Sequence, residues 1–387
     1  MRKRSALGAL ALSAAVYPFL EARRPQLRRY QLLKSPGIPG LKAQETLGVG
    51  GNLPDLGDRR CESQQSPIGQ ESAAAIAKQQ VRTAWQLRIL HLSDLHFWSR
   101  SEWLAEYVAS LAEFTEIDFV ALTGDNFCDS SGLKMLQRAL TPLLKFPGAF
   151  VFGSNDYYSG QFKVPLHYFF PEKKPKLRNV PDLPTAEFQN FLTSGGWQDL
   201  NNQVASLAVT SPARQGRATQ DLTVALSGTD DPHIGRDEAI RTPDTWSKAD
   251  LRLALTHAPY ARVLDQYAAC GADLVLAGHT HGGQVCLPGF GALVNNTDLP
   301  LSYSGGVRSW RIGTVPNPAP RMRRGKTYPP VDLQALRNQA GISDPVAAGQ
   351  TTVHISRGLG TSKFTPVRLA CPPEAAIITI SELSANK

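Results

Sequence analysis

Residues 87–97 read LRILHLSDLHF. The first six, with Leu87, Ile89, Leu90 and Leu92, form a short apolar run of the kind that makes a buried strand. Asp94 and His96 follow at once, two positions apart. At an extended strand end such residues point the same way, so both can bind one cation. The same grammar recurs along the chain. DFVALTG (118–124) leads into Asp125, GAFVFG (148–153) into Asn155, LRLALT (251–256) into His257, and DLVLAG (273–278) into His279 and His281. The last pair repeats the two-residue spacing, and Gly278 before it allows close backbone approach. Carboxylate, imidazole and amide groups at the ends of several strands are what a two-metal hydrolytic site needs. Four of the chain's 8 histidines belong to this set.

Helical spacing appears between the strands. Trp103, Leu104, Tyr107, Val108 and Leu111 recur with a 3.6-residue period over 101–114. Further helices are expected over 133–144, 185–194 (stopped by Gly195 and Gly196) and from Pro259 to Ala269. Strand-like runs lie at 204–209, 222–227, 351–356 and 375–381. Strands and helices alternate early and strands dominate later, which predicts an α/β sandwich with two layered sheets. Residues 35–85, with SPGIPG, GVGGNLPDLGD and ESQQSPIGQES, read as a linker with poor core potential; a weak helix begins near Ala73. The main domain is expected over 86–387. Two long stretches, 160–184 and 295–350, read as loops, rich respectively in Lys173, Lys174, Lys176 and Arg178, and in Arg308, Arg311, Arg321, Arg323, Arg324 and Lys326.

The 387 residues are 42% hydrophobic and 19% charged, the balance of a globular chain. Net charge is +8, which favours anionic partners: phosphorylated small molecules, anionic lipid surfaces or nucleic acid; the apolar N-terminal segment adds a lipid-linked substrate by location. Nucleic acid is not expected, since no base-stacking aromatic module appears. The 5 cysteines form no CxxC pair, which argues against a disulfide framework and excludes finger-type structural zinc. Cys128, close to Asp125, reads as packing.

At the N-terminus, Arg2, Lys3 and Arg4 precede an apolar run from Ala6 to Leu20, and Arg23, Arg24, Arg28 and Arg29 follow. The run is shorter than the roughly 20 residues that span a bilayer. Residues 1–34 are expected to hold a retained anchor in the cell membrane and a first strand. A signal peptide or interfacial helix, on a secreted or cytoplasmic protein, is the alternative. The flanking charges are nearly balanced and leave the membrane side open.

D-x-H, G-D, an asparagine loop, a lone histidine and G-H-x-H, in this order, resemble the calcineurin-like metallophosphoesterase family. GHTHGGQ (278–284) and SRGLGTSKFTPVRLACPPE (356–374) resemble its YkuE/YaeI-type branch of bacterial, often membrane-associated phosphodiesterases. The resemblance covers Leu87 to Ile380, with a weaker trace at 21–33. It implies a four-layer αββα sandwich, two mixed sheets flanked by helices. It also implies two divalent metal ions: Asp94, His96 and His281 on the first, Asp125 between them, and Asn155, His257 and His279 on the second. A hydroxide between the ions would attack phosphorus. Nitrogen and oxygen donors without thiolate suit Mn²⁺, Fe or Zn²⁺.

One loop departs from the family. Its usual Gly-Asn-His-Asp is Gly153-Ser154-Asn155-Asp156 here. Either Ser154 or Asn155 stands at the ligand position; an amide oxygen is the better donor and favours Asn155. The family's histidine is absent under either alignment, and its leaving-group help is worth about 10²–10⁴ in rate. Asp156 and His233 are the candidate replacements. Arg357 and Arg368 are candidates for phosphate contacts or for salt bridges. Three functions fit: a phosphodiesterase-type hydrolase, a nucleotide or cyclic-nucleotide hydrolase, and a metal-binding membrane protein of low turnover.

Overall fold

The computed structural model describes residues 16–35, 40–44, 83–113, 116–160, 181–212, 219–315, 331–342 and 349–383. A first sheet contains β1 (Gln26–Lys34), β2 (Leu41–Gln44), β3 (Thr83–Leu92), β4 (Phe119–Thr123), β5 (Gly148–Val151), β6 (Gln198–Asp199) and β15 (Glu374–Leu383). Their order is β2-β1-β15-β3-β4-β5-β6. A second sheet contains β7 (Val204–Ser211), β8 (Gln220–Gly228), β9 (Leu251–Thr256), β10 (Leu274–Ala277), β13 (Gly306–Arg311) and β14 (Gln350–Ile355), in the order β13-β14-β10-β9-β8-β7. Both sheets are mixed: β3, β4 and β5 run parallel, as do β8, β9, β10 and β14, while β15 runs antiparallel to β3. A small hairpin, β11 (Cys286–Leu287) and β12 (Gly291–Ala292), stands apart.

The period-2 alternation of β3 explains the layers. Leu87 and Ile89 face the second sheet, where they pack with Leu253, Leu255, Leu274 and Leu276. Leu90 and Leu92 face outward, against Leu104 and Val108 of a helix at Glu102–Ser110 and Leu136 and Leu140 of one at Leu133–Leu140. On the far side, Val275 and Val353 pack against Val263 and Tyr267 of the helix Ala261–Ala269. Three apolar seams between four layers make the αββα sandwich. The parallel strands of both sheets deliver their carboxyl ends to one edge, where ligands bind in such sheets.

Within 295–350, expected as a loop, the chain adds β13 to the second sheet and a helix at Leu333–Gln339. Trp310 of β13 is fully buried while Arg308 and Ser309 are exposed, and this edge-strand polarity hid the strand in the sequence. Within 35–85, β2 pairs with β1, and most of the rest lies outside the described residues, including the helix expected near Ala73. Of 160–184, only Gly160 and residues 181–184 are described. Most of the N-terminal apolar run is also outside them; residues 16–21 are helical and β1 follows. Among the described residues no helix is long and apolar enough to cross a membrane.

Candidate metal centre

The loops after β3 and β4 run side by side. Asp94 N donates to Gly124 O at 2.9 Å, His96 N to Asp125 O at 3.0 Å and Phe97 N to Asn126 O at 2.8 Å. The segment 358–360 joins from the other flank, with Gly360 N donating to Asp94 O at 2.7 Å. Asp94, His96, Asp125, His279 and His281 all take left-handed backbone, with φ of 52°, 47°, 55°, 69° and 51°. Asp94 and His96 therefore do not converge by strand alternation, as their spacing suggests. They converge because two left-handed turns, each held by a neighbouring loop, aim them at one point. Such residues cost about 1–3 kcal/mol each and persist only where surroundings fix them.

The ligand atoms of Asp94, His96 and His281 lie within 4.8 Å of one another, and so do those of Asp94, Asp125 and His257. His96 Nε2 is 3.0 Å from His281 Nε2, and His281 Nε2 is 3.4 Å from Asp94 Oδ1. Asp125 turns one oxygen each way: Oδ2 is 3.8 Å from His96 Nε2, and Oδ1 is 3.4 Å from His257 Nε2. His279 closes the far side, its ring 5.2 Å from that of His257, while its N–H donates to the Asp94 carboxylate. Asn155 lies directly on Asp125, its Nδ2 donating to Oδ2 at 2.7 Å and its N–H to Oδ1 at 2.8 Å. The side-chain amide that meets the acidic cluster is thus that of Asn155.

The surroundings fit divalent cations. His257 Nδ1 donates to Thr123 O at 2.7 Å, which turns the buried Nε2 toward Asp125 and would leave it, once deprotonated, as the nitrogen that meets an ion. Burial favours neutral His257, but the attraction of Asp125 wins and raises its pKa well above the usual value. Burial likewise works against the Asp125 carboxylate, yet His257 and then His96 hold its pKa well below the ordinary range. His281 is kept neutral by burial, then by His96 and Arg368. Buried acids and imidazoles so balanced are the electrostatic shape of a cation site. Glycines open the space. A Cβ on Gly278 would sit 1.9 Å from Ser93 Oγ and 2.6 Å from Asp94 Oδ2, and one on Gly153 would sit 2.3 Å from Asp125 Oδ1.

Asp156 and His233 part company. Asp156 is fully buried, and its carboxylate accepts N–H bonds from Asp125 (2.8 Å), Gly153 (2.8 Å) and Asn126 (2.9 Å). It is spent on the backbone of the loops that carry Asp125 and Asn155. His233 stands at the rim, its ring 4.2 Å from that of His279 and its Nδ1 2.9 Å from Tyr260 Oη. Arg368 is buried and donates to the carbonyls of Arg357, Gly358, Gly360 and Cys371, so it braces a loop. Arg357 faces Glu374 at 3.6 Å. Cys128 is buried, its thiol on Thr361 O.

The sequence did not point to several supports. Asp231 is fully buried near the second group; burial raises its pKa to about 8, with His257 opposing and Asp125 adding. Beneath the centre, in the inter-sheet core, His91 Nε2 meets Thr123 Oγ1 at 2.8 Å and His91 Nδ1 meets His354 Nδ1 at 2.8 Å. His354 Nε2 faces Glu374 Oε1 at 3.4 Å. Burial and then His354 keep His91 neutral. Thr123 thus links this buried chain to His257. Only the inward parity of His91 with Leu87 and Ile89 could have signalled it.

The family model of the calcineurin-like phosphoesterases matches residues 87–283, just over half of the chain. This protein belongs to the calcineurin-like phosphoesterase family. It is a metal-dependent phosphoester hydrolase, and the family's divalent cations have donor groups here to hold them. This phosphoesterase is 22% identical to the "Uncharacterized metallophosphoesterase YkuE" of Bacillus subtilis (strain 168) over 300 residues, 76% of this chain and 78% of the relative. Two solved structures match at 15% identity: GAP50, the anchor in the inner membrane complex of Plasmodium (TM-score 0.27, 50% of this chain), and Vacuolar Protein Sorting 29 from Cryptosporidium parvum (TM-score 0.19, 51% of this chain). This phosphoesterase spans 66% of each of those two chains.

Proposed function

We propose that the phosphoesterase hydrolyses phosphodiesters at a dinuclear centre of Mn²⁺, Fe or Zn²⁺. The observation that carries the reading is Asp125, whose two oxygens divide between the His96 side and the His257 side. Asp94, His96 and His281 would hold one ion, and Asn155, His257 and His279 the other, with Asp125 shared. Ions so held supply a nucleophile at neutral pH and offset charge on the phosphate oxygens. Thr123 O fixes the ring of His257, Ser93 Oγ donates to Asp94 Oδ2 at 2.7 Å, and Asp156 holds the loops that carry Asp125 and Asn155. Of the two candidates for leaving-group protonation, the geometry favours His233. It is at the rim beside His279, whereas Asp156 is enclosed by N–H donors.

The test uses the purified full chain with Mn²⁺, bis(p-nitrophenyl) phosphate and a nucleotide panel, beside Asp125→Asn. Hydrolysis of the diester that the variant loses is expected. Two bound metals with no turnover above the variant would replace this reading with a metal-binding protein of low turnover. Faster turnover of a nucleotide or cyclic nucleotide would move the substrate class.

A further inference from the structure

The loop after the metal-ligand turn carries an unusual surface. His281–Gly283 is followed within three residues by the hairpin β11–β12, whose turn places Phe290 88% exposed and Leu287 44% exposed. So exposed a phenylalanine contributes little to the core. The hairpin is nonetheless fixed to the metal centre. A Cβ on Gly283 would meet the Ala292 Cβ at 2.4 Å, so β12 lies directly on the ligand turn.

A second apolar cluster lies nearby. Residues 368–371, with a left-handed bend at Ala370, lie between two neighbours. On one edge Cys286 N donates to Leu369 O at 2.8 Å and Leu369 N to Gln284 O at 3.0 Å. On the other edge Arg368 N donates to Pro18 O at 2.9 Å, and the Glu21 carboxylate accepts from Ala370 N at 3.1 Å and Cys371 N at 2.7 Å. The N-terminal helix and the hairpin base therefore contact one four-residue segment. That helix exposes Val16 (42%), Phe19 (51%) and Leu20 (49%), then Arg23 and Arg24. The same segment touches the metal-ligand turn, with Cys371 Sγ donating to His281 O at 3.3 Å.

We propose that helix 16–21 and the hairpin 286–292 form one membrane-docking surface, with Phe290 as an insertion anchor that sets the metal centre against the lipid headgroups. The occupant is an anionic bilayer. The apolar residues are those that enter the acyl boundary, and Arg23 and Arg24 follow where headgroup phosphates would lie. Resting on the phosphoesterase reading above, the geometry deepens it: the preferred substrate is a phosphoester of an amphiphile presented by that surface.

The experiment uses the full chain carrying Phe290→Trp and vesicles of phosphatidylcholine and phosphatidylglycerol with brominated acyl chains. Extra emission over the parent, quenched by the brominated lipid, is expected. Emission that ignores the vesicles while the protein co-sediments with them would overturn the proposal. So would emission already blue-shifted without lipid, since the hairpin is then covered by this chain or, if concentration-dependent, by a second copy. A Leu287→Ser/Phe290→Ser variant should hydrolyse soluble bis(p-nitrophenyl) phosphate normally. On a vesicle-embedded p-nitrophenyl phosphodiester of a long-chain alcohol it should lose about tenfold or more, the worth of one or two large side chains withdrawn from an apolar phase. Equal rates on both substrates would reject the substrate class. Absence of all hydrolysis by the parent, with quenching intact, would sink the phosphodiesterase reading and leave the docking surface standing.

Discussion

Asp156→Asn separates a positioning carboxylate from a proton donor. In the protein Oδ2 accepts two N–H bonds and Oδ1 one, so an ionised carboxylate satisfies all three donors. Burial, and then the nearby Asp125, push its pKa up to about 7, with the backbone bonds opposing. A protonated Asp156 would turn an O–H toward one of those N–H groups, so the hydrogen-bond geometry selects the ionised form. An asparagine keeps at most the two bonds on its oxygen and points NH₂ at Asn126 N–H. One charge-assisted bond is lost and a buried donor is left opposed, a cost of about 2–4 kcal/mol. At about 1–2 °C per kcal/mol for a chain of this length the melting temperature should fall by roughly 2–8 °C.

Because Asp156 ties Gly153 to Asp125, both ligand loops loosen together, and metal affinity should fall with stability. The assay pairs thermal melting and metal content with hydrolysis of two diesters, one with a p-nitrophenolate leaving group and one with an alkoxide. Positioning predicts similar losses on both. A loss confined to the alkoxide ester, with melting temperature and metal content unchanged, would refute the reasoning and make Asp156 the acid.

Gly278→Ala should abolish metal retention, read by elemental analysis, because its Cβ would lie 1.9 Å from Ser93 Oγ; adding Ser93→Gly should recover part of it, and full retention by the single variant would contradict the packing. His233→Gln should slow the alkoxide ester about 10²-fold or more while sparing the p-nitrophenyl ester, and equal effects would deny it the acid's place. Asp273 tests the frame by pH. Burial works to raise its pKa, but Lys34 (3.2 Å) and Arg252 (2.8 Å) overcome it and depress the folded value. A depressed carboxylate contributes stability fully above its unfolded value, near 3.9, and loses it as pH falls through the folded one. Asp273→Asn should therefore cost about 3–5 kcal/mol at pH 7 and flatten the acid limb of the melting-temperature profile; an unchanged limb would mean the pair is not coupled to folding.

Much of this molecule was legible because strands buried on both faces write continuous apolar runs, and every run that ends in a candidate ligand forms a strand. What stayed hidden obeys weaker rules. β13 is an edge strand with polar residues outward, so only Trp310 marks it. β1 reaches across the chain to pair with β15, Gln26 with Glu374, and no local period encodes such a partner. Alignment alone leaves Ser154 and Asn155 both open, and the contact of Asn155 with Asp125 appears only in three dimensions. His91, His354 and Glu374 are far apart in sequence and meet only because two sheets stack.

The two-residue spacing of the ligand motifs then acquires a different cause. In a strand, D-x-H would aim two side chains by alternation alone, and any residue could stand between and around them. Here both motifs are left-handed at each ligand, which Asp and His tolerate better than branched residues but still at a cost. That cost is met by close neighbours that admit no side chain. Gly278 lies against Asp94. Gly358 would place a Cβ 2.7 Å from Asp94 Cβ, and Gly360 one 2.0 Å from Leu95 O. Two of these three glycines come from the segment 356–374, which has no ligand of its own. The segment's place in the motif pattern follows from this: it is the clamp that keeps Asp94 in its strained turn, and Arg368, donating to the carbonyls of Gly358 and Gly360, is what holds the clamp shut.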